Sequence, residues 1–126
     1  MMLLMSTPSA PENPKLVLAR RALFYLAVSV LTVLSLLPTD RLPEFTASIW
    51  DKAQHAAGFA VLGTLGLWAY PGGVGRSARV VLGLLALGVA IELAQGASGW
   101  RHADAGDALA DAVGVAVGWA LSRALK

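Results

Sequence analysis

A row of acidic residues at helical spacing is the strongest chemical signal in the chain. Asp104, Asp107 and Asp111 are separated by three and four residues, and the same spacing continues through Gly114 and Gly118. Residues three and four apart share one face of a helix. This face would present carboxylates at one end and would let another helix backbone approach closely at its glycines. Grouped carboxylates of this kind can carry out acid–base chemistry or bind a cation.

Two further segments bring ionisable and amide groups to a helix face in the same way. Asp51 stands four residues before His55, and Glu92 stands three residues before Gln95. A histidine beside carboxylates is the usual arrangement for general acid–base catalysis, and it is equally common in buried ion-pair networks. The spacing therefore predicts a polar site but leaves its role open.

The amino-acid composition indicates which class of protein carries these residues. The chain has 126 residues, of which 56% are hydrophobic and 14% charged, with a mean hydropathy of +0.63. Soluble domains have about a quarter of their residues charged, so a soluble globular protein is not expected. The net charge of +2 and the absence of any basic run longer than Arg20-Arg21 argue against nucleic-acid binding. Cysteine-dependent chemistry is excluded because the sequence has no cysteine.

Four apolar stretches predict an all-α integral membrane bundle of four transmembrane helices. They cover about residues 22–37, 53–70, 80–95 and 108–122. Each is slightly short of the roughly 20 residues that cross a hydrocarbon core, and each can gain a turn from its flanks. Residues 1–15 are predicted to be a flexible tail because they combine three prolines with small polar residues, and residues 16–126 form the membrane domain.

The distribution of charge predicts an orientation with both termini inside. In that topology, seven Lys/Arg residues lie inside and three lie in outer loops, as the positive-inside rule requires. Seven of the eight acidic residues then lie at the outer end, against those three bases. The candidate polar site consists of Asp51, Lys52, His55, Glu92, Gln95, Arg101, Asp104, Asp107 and Asp111.

The excess of acids admits two interpretations of this site. Arg101, Lys52 and His55 could neutralise the carboxylates in an internal network that fixes helix register. Otherwise some of the carboxylates are protonated, or a cation or a cationic ligand is present, because neighbouring carboxylates at low dielectric do not all stay ionised without partners. A divalent metal could be bound by Asp107, Asp111 and Glu92, with His55 as a further ligand. Since no HExxH or comparable ligand spacing is present, we assign no metal and no cofactor.

Three of these segments, in order, resemble motifs of the VanZ-like family of bacterial membrane proteins. Residues 51–59 resemble the DKxxHxxxF opening of a span, and residues 91–95 resemble an ExxQ segment. Residues 101–118 resemble the family's R-x-x-D-x-x-D-x-x-x-N-x-x-G-x-x-x-G run, except that Asp111 stands where the family usually has asparagine. The resemblance covers about residues 22–122.

The resemblance implies a multi-pass protein of the bacterial cytoplasmic membrane with a role in the cell envelope. The family is named for a protein associated with low-level teicoplanin resistance. We expect a non-enzymatic protein that contacts membrane lipids and binds a cell-wall or lipid-linked precursor near the outer face. Glu92, Asp107 and Asp111 would set the charge of that pocket, and Asp51, His55 and Arg101 would orient or pair with them.

The alternative is a small membrane enzyme that acts on a lipid head group. His55 would be the general acid or base, with Glu92 or Asp107 orienting its ring.

Overall fold

Four helices account for almost all of the chain that the computed structural model describes. The structure describes residues 11–37, 44–99 and 104–125, with side chains for all of these except 44–50. The helices are α1 (Pro14–Leu36), α2 (Glu44–Ala69), α3 (Val74–Ser98) and α4 (Ala105–Ala124). Within the described ranges there is no strand, so the predicted all-α fold is confirmed.

Successive helices run in opposite directions. Gln95, near the end of α3, is hydrogen bonded to Ser35 near the end of α1. Lys52, early in α2, is hydrogen bonded to Asp104 immediately before α4. A long hydrogen bond of 3.5 Å between Gln95 and His55, three residues after Lys52 in α2, connects the Gln95–Ser35 pair to the Lys52–Asp104 pair. The ends of α1 and α3 therefore meet the starts of α2 and α4 at one end of an up-and-down bundle.

The helices extend beyond the apolar stretches from which they were predicted. Helix α1 begins at Pro14 because Asn13 caps it, accepting a hydrogen bond from the backbone nitrogen of Lys15, and because proline suits the first helical position. Pro14 and Lys15 of the predicted tail are therefore helical, and the first ten residues of that tail lie outside the described ranges. Helix α3 ends at Ser98 and is followed by Gly99, whose φ of 84° is the left-handed conformation common after helix C-termini.

The packing of α2 against α4 is the most extensive in the bundle, and it depends on glycine. A β-carbon at Gly118 would lie 2.6 Å from the carbonyl oxygen of Ala60 and 3.0 Å from the Cα of Gly63. A β-carbon at Gly114 would meet the carbonyl oxygen of Ala56. The two backbones are therefore in direct contact, which is the arrangement that small residues four apart permit.

The interior and the exterior of the bundle have unusual polarity. Buried residues include the apolar Phe59 and Leu62, but also six polar or charged side chains: Ser35, His55, Glu92, Gln95, Asp107 and Asp111. Large apolar side chains are exposed along the outside, including Leu26, Leu82 and Leu109, each more than 60% exposed. Helices α1 and α3 are long and apolar enough to cross a membrane, with mean hydropathies of 1.8 and 2.0 over their best 18 residues.

The same substitution at two glycines tests the α2–α4 contact. Gly118→Ala would place a methyl group against the backbone of α2, so we expect a loss of about 1–3 kcal/mol in the free energy of unfolding. The matched control is Gly83→Ala, because a β-carbon there meets nothing within 4 Å and alanine favours a helix by about 0.5–1 kcal/mol. Reversible unfolding in detergent, followed by circular dichroism, measures both. Equal stability of the two variants would contradict the close packing.

Candidate functional site

A buried histidine–aspartate pair lies at the centre of the polar cluster. Nδ1 of His55 is 2.5 Å from Oδ1 of Asp111, and each residue is only 1% exposed. Helix α3 approaches the same point at Gly88, where a β-carbon would lie 2.7 Å from Oδ2 of Asp111. The pair is therefore enclosed by α2, α3 and α4, and it joins the two helices that pack most closely.

Gln95 connects this pair to α1. Its Nε2 donates to the backbone carbonyl of Ser35 at 2.7 Å and lies 3.5 Å from Nε2 of His55. Because an amide nitrogen can only donate, this long contact fits the imidazole tautomer that carries its proton on Nδ1. In that tautomer His55 donates to Asp111, and its Nε2 keeps a lone pair directed into the cluster.

A second set of contacts joins α3 to the start of α4. Oε1 of Glu92 accepts a hydrogen bond from the backbone nitrogen of Asp104. The ammonium group of Lys52 lies 2.7 Å from Oδ2 of Asp104 and 3.4 Å from Oδ1 of Asp107. Asp104 also caps α4 by accepting from the backbone nitrogen of Gly106. The hydrogen bond from Lys52, followed by that from Gly106, lowers the pKa of the Asp104 carboxyl below its ordinary value.

Three buried oxygens in the cluster have no hydrogen-bond donor among the described residues. They are Oε2 of Glu92, Oε1 of Gln95 and Oδ2 of Asp111. A buried polar atom without a partner costs about 1–3 kcal/mol, and more when it is charged. The cluster therefore has the capacity to accept a donor or a cation beyond the groups that the structure describes.

The structure brings most of the predicted site residues together through direct hydrogen bonds or ion pairs. They are Lys52, His55, Glu92, Gln95, Asp104, Asp107 and Asp111. Asp51 lies one helical turn before His55 and is half-buried. Arg101 lies outside the described residues.

The structure selects one partner for His55 and adds a contact that the sequence did not suggest. Asp111 is hydrogen bonded to His55, which is one of the pairings expected for a binding pocket, whereas the enzymatic alternative had Glu92 or Asp107 orienting this ring. The close approach of α2 and α4 fixes this pairing, because it brings the buried faces of the two helices together at this level. Ser35 was not predicted at all, and no sequence signal could have found it, since the group it contributes is a backbone carbonyl.

Basic residues gather at the opposite end of the bundle. Arg21, Arg76 and Arg79 line a cavity of about 570 Å³ between α1 and α3. Tyr70 also lines this cavity, and its hydroxyl lies 2.7 Å from that of Tyr25 while the guanidinium of Arg21 lies 4.5 Å from its ring centre. The bundle therefore has an acidic end and a basic end.

Comparisons with known proteins did not identify a relative. No protein-family model, no curated protein and no solved structure matches the chain.

Substitutions in the histidine–aspartate pair test its coupling. His55→Ala leaves both oxygens of Asp111 buried without a described donor, so we expect a loss of about 3–5 kcal/mol in the free energy of unfolding. Asp111→Asn keeps an acceptor for Nδ1–H of His55 and should cost less than Asp111→Ala. A double-mutant cycle with the two alanine variants in detergent should give a coupling energy of about 0.5–3 kcal/mol. Strictly additive losses would show that the two residues do not stabilise each other.

Proposed function

We propose that the chain is a multi-pass membrane protein whose four helices all cross the bilayer. At a rise of 1.5 Å per residue, the 23 residues of α1 and the 25 of α3 are about 35 and 38 Å long, against a hydrocarbon thickness of about 30 Å. The exposed leucines of the outer surface suit contact with lipid tails. A soluble protein rarely exposes so much contiguous apolar surface.

The polar residues of α2 and α4 are compatible with spans because they face inward. His55, Asp107 and Asp111 are each at most 3% exposed. Ionisable groups within transmembrane helices normally face the interior of the bundle or a wet cavity, since exposure to lipid is costly. Burial of these groups therefore supports the assignment of α2 and α4 as the second and fourth spans.

The separation of charge supports an orientation with the basic end in the cytoplasm. Arg21, Arg76 and Arg79 lie together at one end, and Arg123 lies in the last turn of α4 at the same end. Lysine and arginine are enriched on the cytoplasmic side of membrane proteins. The acidic cluster then lies towards the outer face.

Single cysteines can test this topology because the sequence contains none. Ala105→Cys marks the acidic end, and Gly73→Cys, in the exposed turn before α3, marks the basic end. In intact bacterial cells, a membrane-impermeant maleimide should label Cys at position 105 and should label position 73 only after permeabilisation. Labelling of both positions without permeabilisation would place both on the outer side of the membrane. Helix α3, which lies between them, would then not cross the bilayer.

We further propose that the acidic end binds the head group of an envelope amphiphile, such as a cell-wall or lipid-linked precursor. The observation that carries this proposal is the buried cluster itself, in which residues of all four helices meet and three oxygens lack a described partner. Structural ion pairing alone would leave these atoms unsatisfied. The resemblance to VanZ-like proteins favours a bacterial cytoplasmic membrane and an envelope role, and the enzymatic alternative stays a prediction.

A survival assay tests the envelope role. A susceptible Gram-positive host that expresses the wild-type chain should survive teicoplanin better than the empty host. Asp107→Asn should abolish the protection because it removes a buried charge of the cluster. Glu12→Gln is the matched control, since this carboxylate is half exposed and is paired with Arg20 away from the acidic cluster. All variants are compared at equal membrane abundance, and absence of protection by the wild type would reject this envelope role.

A further inference from the structure

Three side chains in the cluster converge as ligands of a metal ion would. One nitrogen of His55 and one carboxylate oxygen each of Glu92 and Asp107 lie within 4.8 Å of one another. These residues are 1%, 8% and 3% exposed, and they come from three different helices. A set of one imidazole and two carboxylates held in this way is more specific than a group of surface acids.

We propose that His55, Glu92 and Asp107 bind a divalent transition-metal ion, with Zn²⁺ as the best fit. Three atoms within 4.8 Å of one another can all lie within about 2.8 Å of a common point. Zn²⁺ bonds to nitrogen and oxygen are about 2.0–2.2 Å long, so each ligand would move by at most about 0.6–0.8 Å. Side-chain torsions can supply this adjustment without movement of the helices.

Asp111 is placed to orient the histidine rather than to bind the ion. Its Oδ1 accepts the hydrogen bond from Nδ1 of His55, so Nε2 remains as the ligand atom. Histidines that bind metals usually donate their other ring N–H to a carboxylate or a carbonyl, which fixes the tautomer and the ring orientation. Among the described residues, Nε2 has one hydrogen bond, the long one to Gln95. The amide nitrogen of Gln95 also has the carbonyl of Ser35 as an acceptor, so it does not depend on His55 for a partner.

Unsatisfied atoms and charge give an independent indication of a cation. Oε2 of Glu92, in a residue more than nine-tenths buried, has no donor among the described residues. Four carboxylates, those of Glu92, Asp104, Asp107 and Asp111, face one described ammonium, that of Lys52, which leaves a formal charge of −3. A divalent ion would reduce this charge to −1 and supply the missing partner.

The ligand types favour a transition metal over Mg²⁺ or Ca²⁺. Those two ions take oxygen ligands, whereas imidazole nitrogen suits Zn²⁺ and its neighbours in the first row. Three protein ligands leave one position of a tetrahedral ion open. The role of the ion, though not its binding, rests on the proposed function. At its open fourth position the ion would let an acidic pocket bind a phosphate or carboxylate head group.

Metal binding is measured on the full chain, purified in detergent with an affinity tag that contains no histidine. After treatment with a chelator and dialysis, the protein is titrated with Zn²⁺ against a competing chromogenic chelator. We expect about one equivalent to bind. Co²⁺ in its place should give visible absorption bands typical of four-coordinate geometry. Less than a tenth of an equivalent of Zn²⁺ bound by the folded wild type would overturn the proposal.

Variants identify the ligands. Glu92→Gln and Asp107→Asn should each abolish stoichiometric binding, and Asp111→Asn should weaken it by about 10–100-fold because it acts through His55. Glu12→Gln, a half-exposed carboxylate that is paired with Arg20 outside the cluster, is the matched control and should bind as the wild type does. Circular dichroism verifies that each variant is folded, and the wild-type titration remains decisive if one is not. Loss of binding in Glu12→Gln alone would refute the assignment.

The two proposals fail separately. Stoichiometric Zn²⁺ binding without teicoplanin protection would retain the metal site and reject the envelope role. Protection that depends on Asp107, in a protein that binds no metal, would retain the envelope role and reject the ion.

Discussion

The contact between the backbones of α2 and α4 is the constraint on which the rest of the structure depends. Gly118 of α4 leaves no room for a β-carbon against Ala60 and Gly63 of α2. Helices that approach this closely bring the next turns into register as well, and here those turns carry His55 and Asp111. A larger residue at the glycines would therefore separate the polar pair as well as weaken the packing.

The bundle has polar side chains inside and apolar side chains outside, which is the reverse of a soluble protein. The helix packing that forms the fold therefore also forms the polar cluster. Polar side chains such as His55 and Gln95 are almost completely buried, while leucines cover the outside. In a lipid environment the outer surface needs no further cover, and the interior is the only place where ionisable groups can find partners. The cluster therefore fixes the register of the helices by joining groups from all four of them.

The proposed metal ion and the proposed head-group ligand both address the same feature of the cluster, which has too few positive charges and hydrogen-bond donors for its oxygens. Carboxylates outnumber the described cations, and oxygens of Glu92 and Asp111 lack donors. An ion held by His55 and two carboxylates would correct the deficit and would still leave a position for an anionic head group. Without the ion, the same pocket would repel such a group and would favour a cationic one.

The sequence by itself determined the helices and which residues share a face, because the helical period is a local property that spacing reveals. Asp107, Asp111, Gly114 and Gly118 could be placed on one buried face of α4 from their spacing alone. Only the tertiary structure decided the partner of His55, because that pairing depends on how far α2 and α4 slide past each other. It also decided the contact of Gln95 with the carbonyl of Ser35. Every residue has a backbone carbonyl, so the residue type gives no indication of which carbonyl will accept the bond.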